Sequence, residues 1–269
     1  MYKMKIFAVL AGALLLTGCT GNADKSKQGK DAAVHEKVLL RLNYPAGFKQ
    51  ELKYNMHTDV TGGDGGVDEE VVLIFEANPQ PPKENPSFVF SGKVKQMKWH
   101  SDVFGEKESY DSSAKSNPDI DADMAVEYEA YMNKDFTFEA DHHGILKQNF
   151  QFKNTGIQFE QLIDLNNYFT TFPEKEVGVG DTWTGSFKNE MSGQLITRTY
   201  TVKEISTDKV TIEVVSVVPA FKGVTKESTY KGNYIIDRST GMLLRGELNG
   251  TINGAVRAKM AINLYGKKV

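Results

Sequence analysis

The sequence predicts a mainly β fold: a large, curved antiparallel sheet, in half-barrel or open-barrel form, with two amphipathic helices packed on it. Three observations lead there. Apolar residues recur with period two over most of the chain beyond residue 37. Gly-rich and Pro-rich stretches interrupt those runs where turns are needed. Two segments alone carry apolar residues at helical spacing.

At the N-terminus, Lys3 and Lys5 precede an apolar run from Ile6 to Leu16 that ends in the small residues Thr17 and Gly18, the order of a secretory signal. The run is too short for a membrane-spanning helix, which needs roughly 20 residues. Residues 20–37 are polar and rich in Gly, Lys and Asp, as a flexible tether is. The expected organisation is a signal segment at 1–18, a tether at 19–36 and one β-rich domain at 37–269.

In LKYNMHTDV the apolar positions are Leu52, Tyr54, Met56 and Val60; the glycines from Gly62 to Gly66 and the run VDEEVVLIFEA follow, which together predict a hairpin with a loose tip. PQPPKENP, Pro79 to Pro86, holds four of the eight prolines and predicts a loop. Phe88, Phe90 and Val94 share one parity and Met97 and Trp99 the other, so a bulge is expected near Gln96. DIDADMAVEYEAYMNK, residues 119–134, places Ile120, Met124, Tyr128 and Tyr131 on one helical face, with Asp119, Asp121 and Asp123 in the favourable first turn. FTFEADHHGILKQ predicts a hairpin turning at His142, His143 and Gly144. GIQFEQLIDLNNYFTTF, residues 156–172, predicts the second helix, with Phe159, Leu162, Ile163, Asn166 and Phe169 along one side and an end before Pro173.

From Leu244 to Leu264 the even positions are apolar or glycine. A single strand of that length would run ~70 Å, so a hairpin is expected. An odd-length loop such as Asn253 to Ala255, with a bulge at Gly254, keeps both arms in phase. Glycines on the apolar face leave room for packed helices or for something bound.

The single cysteine rules out an intrachain disulfide. Without residues 1–18 the chain keeps 30 basic and 35 acidic side chains, a net −5, which argues against nucleic acid as a partner. The run Asp119, Asp121, Asp123 fails as a calcium loop because Met124 stands where glycine is required and Ala130 where glutamate is. His142 and His143 are adjacent in a turn, where neighbouring side chains are expected to diverge, and no Cys or His stands at ligand spacing nearby, so a solvated turn is expected rather than a metal site. No GxSxG, HExxH, P-loop or GxGxxG is present, so no catalytic residue, metal site or cofactor is expected, and the chain is read as a non-enzyme.

Leu16-Thr17-Gly18-Cys19 resembles the lipobox of bacterial lipoproteins. That resemblance implies cleavage before Cys19 and acyl chains on it, an anchor that holds a soluble domain at the membrane. YDSS (Tyr110 to Ser113), DHHGIL (Asp141 to Leu146), FPEKEVGVGDTWTG (Phe172 to Gly185) and DRSTGMLLRG (Asp237 to Gly246) resemble a family of bacterial envelope lipoproteins labelled only as a domain of unknown function. The order of elements looks like the half-barrel of the lipoprotein-carrier (Lol) class, which implies an apolar cavity between sheet and helices. Thr20 after the cysteine, by likeness to known sorting rules, implies an outer-membrane site facing the periplasm, or the outer face of the membrane in an organism that has only one. The expected function is therefore non-catalytic binding of a lipid or other apolar ligand, lined by Tyr128, Tyr131, Phe159, Leu162, Ile163, Leu248, Ile252 and Val256. The alternative is a module that contacts envelope proteins or glycans through its loops.

Overall fold

The computed structural model describes residues 36–61, 65–81, 86–132, 134–152, 164–189, 193–220, 226–253 and 257–269. The elements in chain order are β1 (Lys37–Val38), β2 (Phe48–Val60), β3 (Gly65–Pro79), β4 (Ser87–Val103), β5 (Glu106–Asp111), α1 (Ala122–Tyr131), β6 (Asp135–Asp141) and β7 (Leu146–Phe152). They continue with β8 (Val177–Gly178), β9 (Thr182–Lys188), β10 (Leu195–Ile205), β11 (Lys209–Val218), β12 (Ser228–Asp237), β13 (Leu243–Asn253) and β14 (Arg257–Lys268). Alternation makes them strands: in β3, Val71, Leu73, Phe75 and Ala77 are buried while Val72, Ile74 and Glu76 between them are half-buried.

Twelve strands make one antiparallel sheet in the order β7-β6-β4-β3-β2-β14-β13-β12-β11-β10-β9, with β5 alongside β4. The long β4 carries two neighbours on one edge, β6 along Ser87 to Lys93 and β5 along Lys98 to Val103. Laid flat, the nine steps from β6 to β9 would span ~43 Å. Yet Phe169 packs on Phe138 of β6 at 5.6 Å between ring centroids, and the carbonyl of Thr171, two residues on, accepts a hydrogen bond from Trp183 Nε1 of β9 at 2.6 Å. Two residues reach ~7 Å at most, so the sheet curls until its two ends flank the same segment. Its end strands β7 and β9 do not pair, and the sheet is not closed into a barrel.

The segment Asp164 to Phe172 fills the curl. Leu165, Tyr168, Phe169 and Phe172 are buried, and Tyr168 Oη donates to Gln50 Oε1 of β2 at 2.8 Å. Phe169 lies against Phe90 and Phe138, themselves stacked at 4.5 Å with ring planes 8° apart. Here the structure corrects the second predicted helix. Residues 153–163, with Phe159, Leu162 and Ile163, lie outside the described residues. The described remainder is one 3-10 turn, Leu165–Asn167, capped by Asp164 at its start and Tyr168 at its end and followed by chain without regular structure. Arg198 donates to the carbonyl of Asn166, and Tyr234 Oη donates to that of Asn167 at 2.8 Å. The acceptors a helix would have used are thus bonded to the sheet, and Asp164 draws the Asn166 N–H into a local turn.

The first helix is shorter than its pattern. Asp121 is the N-cap, accepting from the N–H groups of Asp123 and Met124, so Asp119 lies outside the helix. Tyr128 packs on Tyr110 at 5.0 Å and Tyr131 on Phe152 at 5.6 Å, while Val126 points to solvent. One short helix, not two amphipathic ones, stands among the described residues.

Three other expectations meet the register directly. The bulge falls at Lys95, between the pairs Val72↔Gln96 and Leu73↔Val94. Strands β13 and β14 pair even with even positions, Gly246↔Leu264 and Leu248↔Ile262, across a three-residue connection at 254–256 that lies outside the described residues. A second bulge at Leu244, between Ile235↔Arg245 and Ile236↔Leu243, turns Leu243 rather than Leu244 into the core. The room beside the glycines is taken: a Cβ on Gly246 would lie 3.0 Å from the Tyr234 ring, and one on Gly250 2.4 Å from the Tyr230 ring. Cross-strand tyrosines occupy the space expected for helices or ligand.

The sequence's period-two run at Val38, Leu40, Leu42 and Tyr44 forms a strap that leaves the short β1–β8 pair and stays outside the large sheet. The Leu42 N–H donates to the His142 carbonyl at 2.8 Å, and the Asn43 N–H to that of Thr240 at 2.9 Å. Arg41 donates to the carbonyls of Pro173 and Glu174. The strap therefore ties together the β6–β7 turn, the β12–β13 turn and the end of the filling segment. Gly241 must be glycine there, because its φ is +71° and a Cβ would stand 2.2 Å from the Arg41 carbonyl oxygen.

Candidate functional site

Antiparallel register sets six side chains side by side across the sheet: Leu248 of β13, Ile262 of β14, Met56 of β2, Glu69 of β3, Trp99 of β4 and Tyr110 of β5. The last four line a pocket of about 500 Å³, joined by flanking residues that include Asn55, His57, Asp68, Lys98, Asp111 and Asn263. Helix α1 backs the aromatic end, with Tyr128 6.4 Å from Trp99 between ring centroids. Long twisted strands create the site, since β2, β3 and β4 run on past the part of the sheet that β6 covers.

Glu69 is the anomaly in this row. It sits on the buried parity of β3, is 9% exposed, and its Oε1 has no hydrogen-bond partner. Burial pushes its carboxyl up to about 8. The neighbouring cations are engaged elsewhere: Lys98 pairs with Asp111 at 3.2 Å and Lys53 with Glu70 at 2.5 Å. His57 Nδ1 lies 2.6 Å from Asp68 Oδ1 and its Nε2 3.0 Å from Asp59 Oδ1. The bond to Asp68, against a smaller opposing effect of burial, holds the His57 pKa above its ordinary value.

A second, smaller pocket of about 280 Å³ lies in the opening of the sheet. It is lined by β7 and its preceding turn, by Ser186, Phe187 and Lys188 of β9, and by Asn166, Phe169 and Thr171 of the filling segment. Beneath it Arg198, 2% exposed, reaches the Asn167 side-chain oxygen and the Asn166 carbonyl and stacks 4.5 Å above the Phe187 ring. Burial lowers its pKa, but Tyr234, Tyr200 and Asp164 raise it by more, so Arg198 stays charged. Its bonds hold the filling segment in place.

Residues 145–258 match DUF6263, a family of unknown function. The matched region opens in the β6–β7 turn, takes in the filling segment and β9 to β13, and stops as β14 begins. FPEKEVGVGDTWTG and DRSTGMLLRG fall inside it and YDSS outside, which agrees with the resemblance to a domain family that carries no assigned activity. The lining of the 500 Å³ pocket lies outside the matched region, on β2 to β5 and at Asn263. No curated protein matches the chain.

Of the predicted ligand-lining residues, Tyr128, Tyr131 and Leu248 belong to the packed core, and Ile252 is half-buried near the end of β13. Cys19, Phe159, Leu162, Ile163 and Val256 lie outside the described residues. Glu69, Trp99 and Tyr110, which line the pocket, are not among the residues the sequence points to. The signal for Glu69 is legible in VDEEVVLIFEA, where it shares parity with Val71, Leu73 and Phe75. Among the described residues no group of three or more His, Cys, Asp or Glu is placed to hold a metal ion, and no helix is long and apolar enough to cross a membrane.

Proposed function

We propose that the protein is a lipid-anchored, non-catalytic envelope protein that holds a small, largely apolar ligand in the β2–β5 pocket. In this reading residues 1–18 are removed as a signal peptide, Cys19 carries the acyl chains, and residues 19–36 tether the β domain to the outer membrane on its periplasmic side. The pocket carries the binding half of the proposal: about 500 Å³ with a wall of Met56, Trp99 and Tyr110 is the size and character of a small-molecule site. The likeness to the lipoprotein-carrier half-barrel is supported by the curl of the sheet. The aromatic filling at Tyr168 and Phe169 moves the ligand out of the centre of the curl and into this lateral pocket.

Two experiments test the two halves. Cys19→Ala is expected to leave the membrane under carbonate washing; a variant that stays bound refutes the anchor. The chain has two tryptophans, so Trp183→Phe leaves Trp99 as its one indole. Titrating that variant with N-phenyl-1-naphthylamine is expected to give saturable enhancement of the directly excited dye, with quenching of Trp99, and the dye enhancement is expected to be lost in Trp99→Ala. Unsaturable enhancement, or enhancement indifferent to Trp99→Ala, refutes the pocket.

One observation favours the interaction-module alternative. Phe104, at the tip of the β4–β5 hairpin, is 68% exposed and has a φ of +53°, a conformation a bulky side chain rarely adopts. A photo-crosslinker at residue 104 that captures one defined envelope protein in cells would support that module, and solvent-only products would reject it.

A further inference from the structure

We propose that the β2–β5 pocket selects ligands bearing an ammonium group on an apolar body, with the cation set against the Glu69 carboxylate and the rings of Trp99 and Tyr110. This rests on the pocket being the binding site and names what that site prefers. Glu69 lines the pocket, is nine-tenths buried and has an oxygen without a partner. A buried carboxyl in that state lacks a donor, and a buried carboxylate lacks a countercharge. An N–H of an ammonium ligand supplies both.

The protein's own cations do not. Lys98, Lys53 and His57 are paired with Asp111, Glu70 and the two aspartates Asp59 and Asp68. Directly across the strands from Glu69 stand Met56 on β2 and Trp99 on β4, neither of which carries a positive charge. Trp99 in turn is paired with Tyr110. A carboxylate beside two electron-rich rings, one of them indole, is a favourable surround for a desolvated organic cation.

Binding of the cation draws Glu69 into its ionised form. Because burial holds the free carboxyl protonated up to about pH 8, capture of an ammonium at neutral pH releases a proton. Other titratable groups share the neighbourhood: Tyr54 senses Glu69 from β2, Tyr110 and Tyr128 stand on the aromatic side, and Asp68, Glu70, His57, Lys98, His100 and Asp111 flank the row. The bond to Asp68 holds the His57 pKa above its ordinary value, so the response of Glu69 is isolated by substituting Glu69 itself.

The test uses the full chain and two probes of one shape, 2-phenylethylamine and 2-phenylethanol, by calorimetric titration. The amine is expected to bind the wild type about tenfold or more tighter than the alcohol near pH 8.5. The advantage shrinks near pH 6, and the observed heat depends on the buffer's ionisation enthalpy as one proton leaves. Glu69→Gln is expected to bring amine affinity down to that of the alcohol measured on the same variant. Equal affinities in the wild type, tighter alcohol binding, or an amine preference that survives Glu69→Gln overturns the cation proposal while leaving the pocket intact. Binding of neither probe overturns the pocket as well.

Discussion

Replacing Arg198 by methionine removes the charge that holds the filling segment while keeping a side chain long enough to cover Phe187. In the wild type the guanidinium donates to the Asn166 carbonyl and the Asn167 amide oxygen, and Nε lies 3.4 Å from Ser216 Oγ. Two charge-assisted bonds at roughly 1.5–3 kcal/mol each give about 3–6 kcal/mol. Relief of burying a guanidinium whose nearest carboxylate, Asp164, is engaged with Asn166 and Asn189 offsets part of that. The net expectation is a loss of about 3 kcal/mol, or a fall of ~6–12 °C in Tm for a domain of this size. Urea unfolding followed by far-ultraviolet circular dichroism measures the loss. Hydrogen exchange at Tyr168 and Phe169 is expected to accelerate in step with it, because their N–H groups bond to the Leu165 carbonyl within the same turn. A variant within about 1 kcal/mol of wild type, with those amides still protected, would refute the claim that Arg198 fastens the segment to the sheet.

Three further outcomes follow from the same structure. Glu69, raised from 4.5 to about 8, contributes full stability below its unfolded pKa and loses it as pH rises through 8; Glu69→Gln should leave the urea midpoint unchanged near pH 4 and raise stability near pH 9 by on the order of 3 kcal/mol. Equal midpoints at the higher pH would show that the carboxyl is not buried as described. Gly144→Ala puts a Cβ 2.2 Å from the Thr170 carbonyl oxygen at a φ of +77°, and a thermal melt should show a loss of about 2 kcal/mol or more; a neutral result would mean that turn and filling segment do not meet. Phe104→Asn relieves a left-handed residue at an exposed tip and should stabilise the domain by about 1 kcal/mol, whereas destabilisation would show that the ring packs in solution.

Period-two runs made the sheet legible, down to the bulge at Lys95 and the in-phase β13–β14 hairpin, because side-chain parity is a local property of each strand. The segment from Asp164 to Phe172 was not legible. Its apolar residues fit a helical face, and what unwinds it is distant in sequence: Arg198 and Tyr234 take the carbonyls of Asn166 and Asn167. The same holds for the ligand lining. Leu248 and Tyr131 were expected at a cavity, but the aromatic residues that fill the core come from strands far apart in the chain, and single-strand periodicity carries no record of them. Glu69 was within reach, since an acid on an apolar parity must be paired, neutral or functional. Recognising which required the neighbours that only register supplies.

The most direct test of a ligand in the β2–β5 pocket is native mass spectrometry of the full chain purified from its own membranes, wild type beside Trp99→Ala. A discrete small-molecule adduct is expected on the wild type and not on Trp99→Ala, with the lipid mass on Cys19 present in both. A bare wild-type chain, or equal loading of the two, would contradict it.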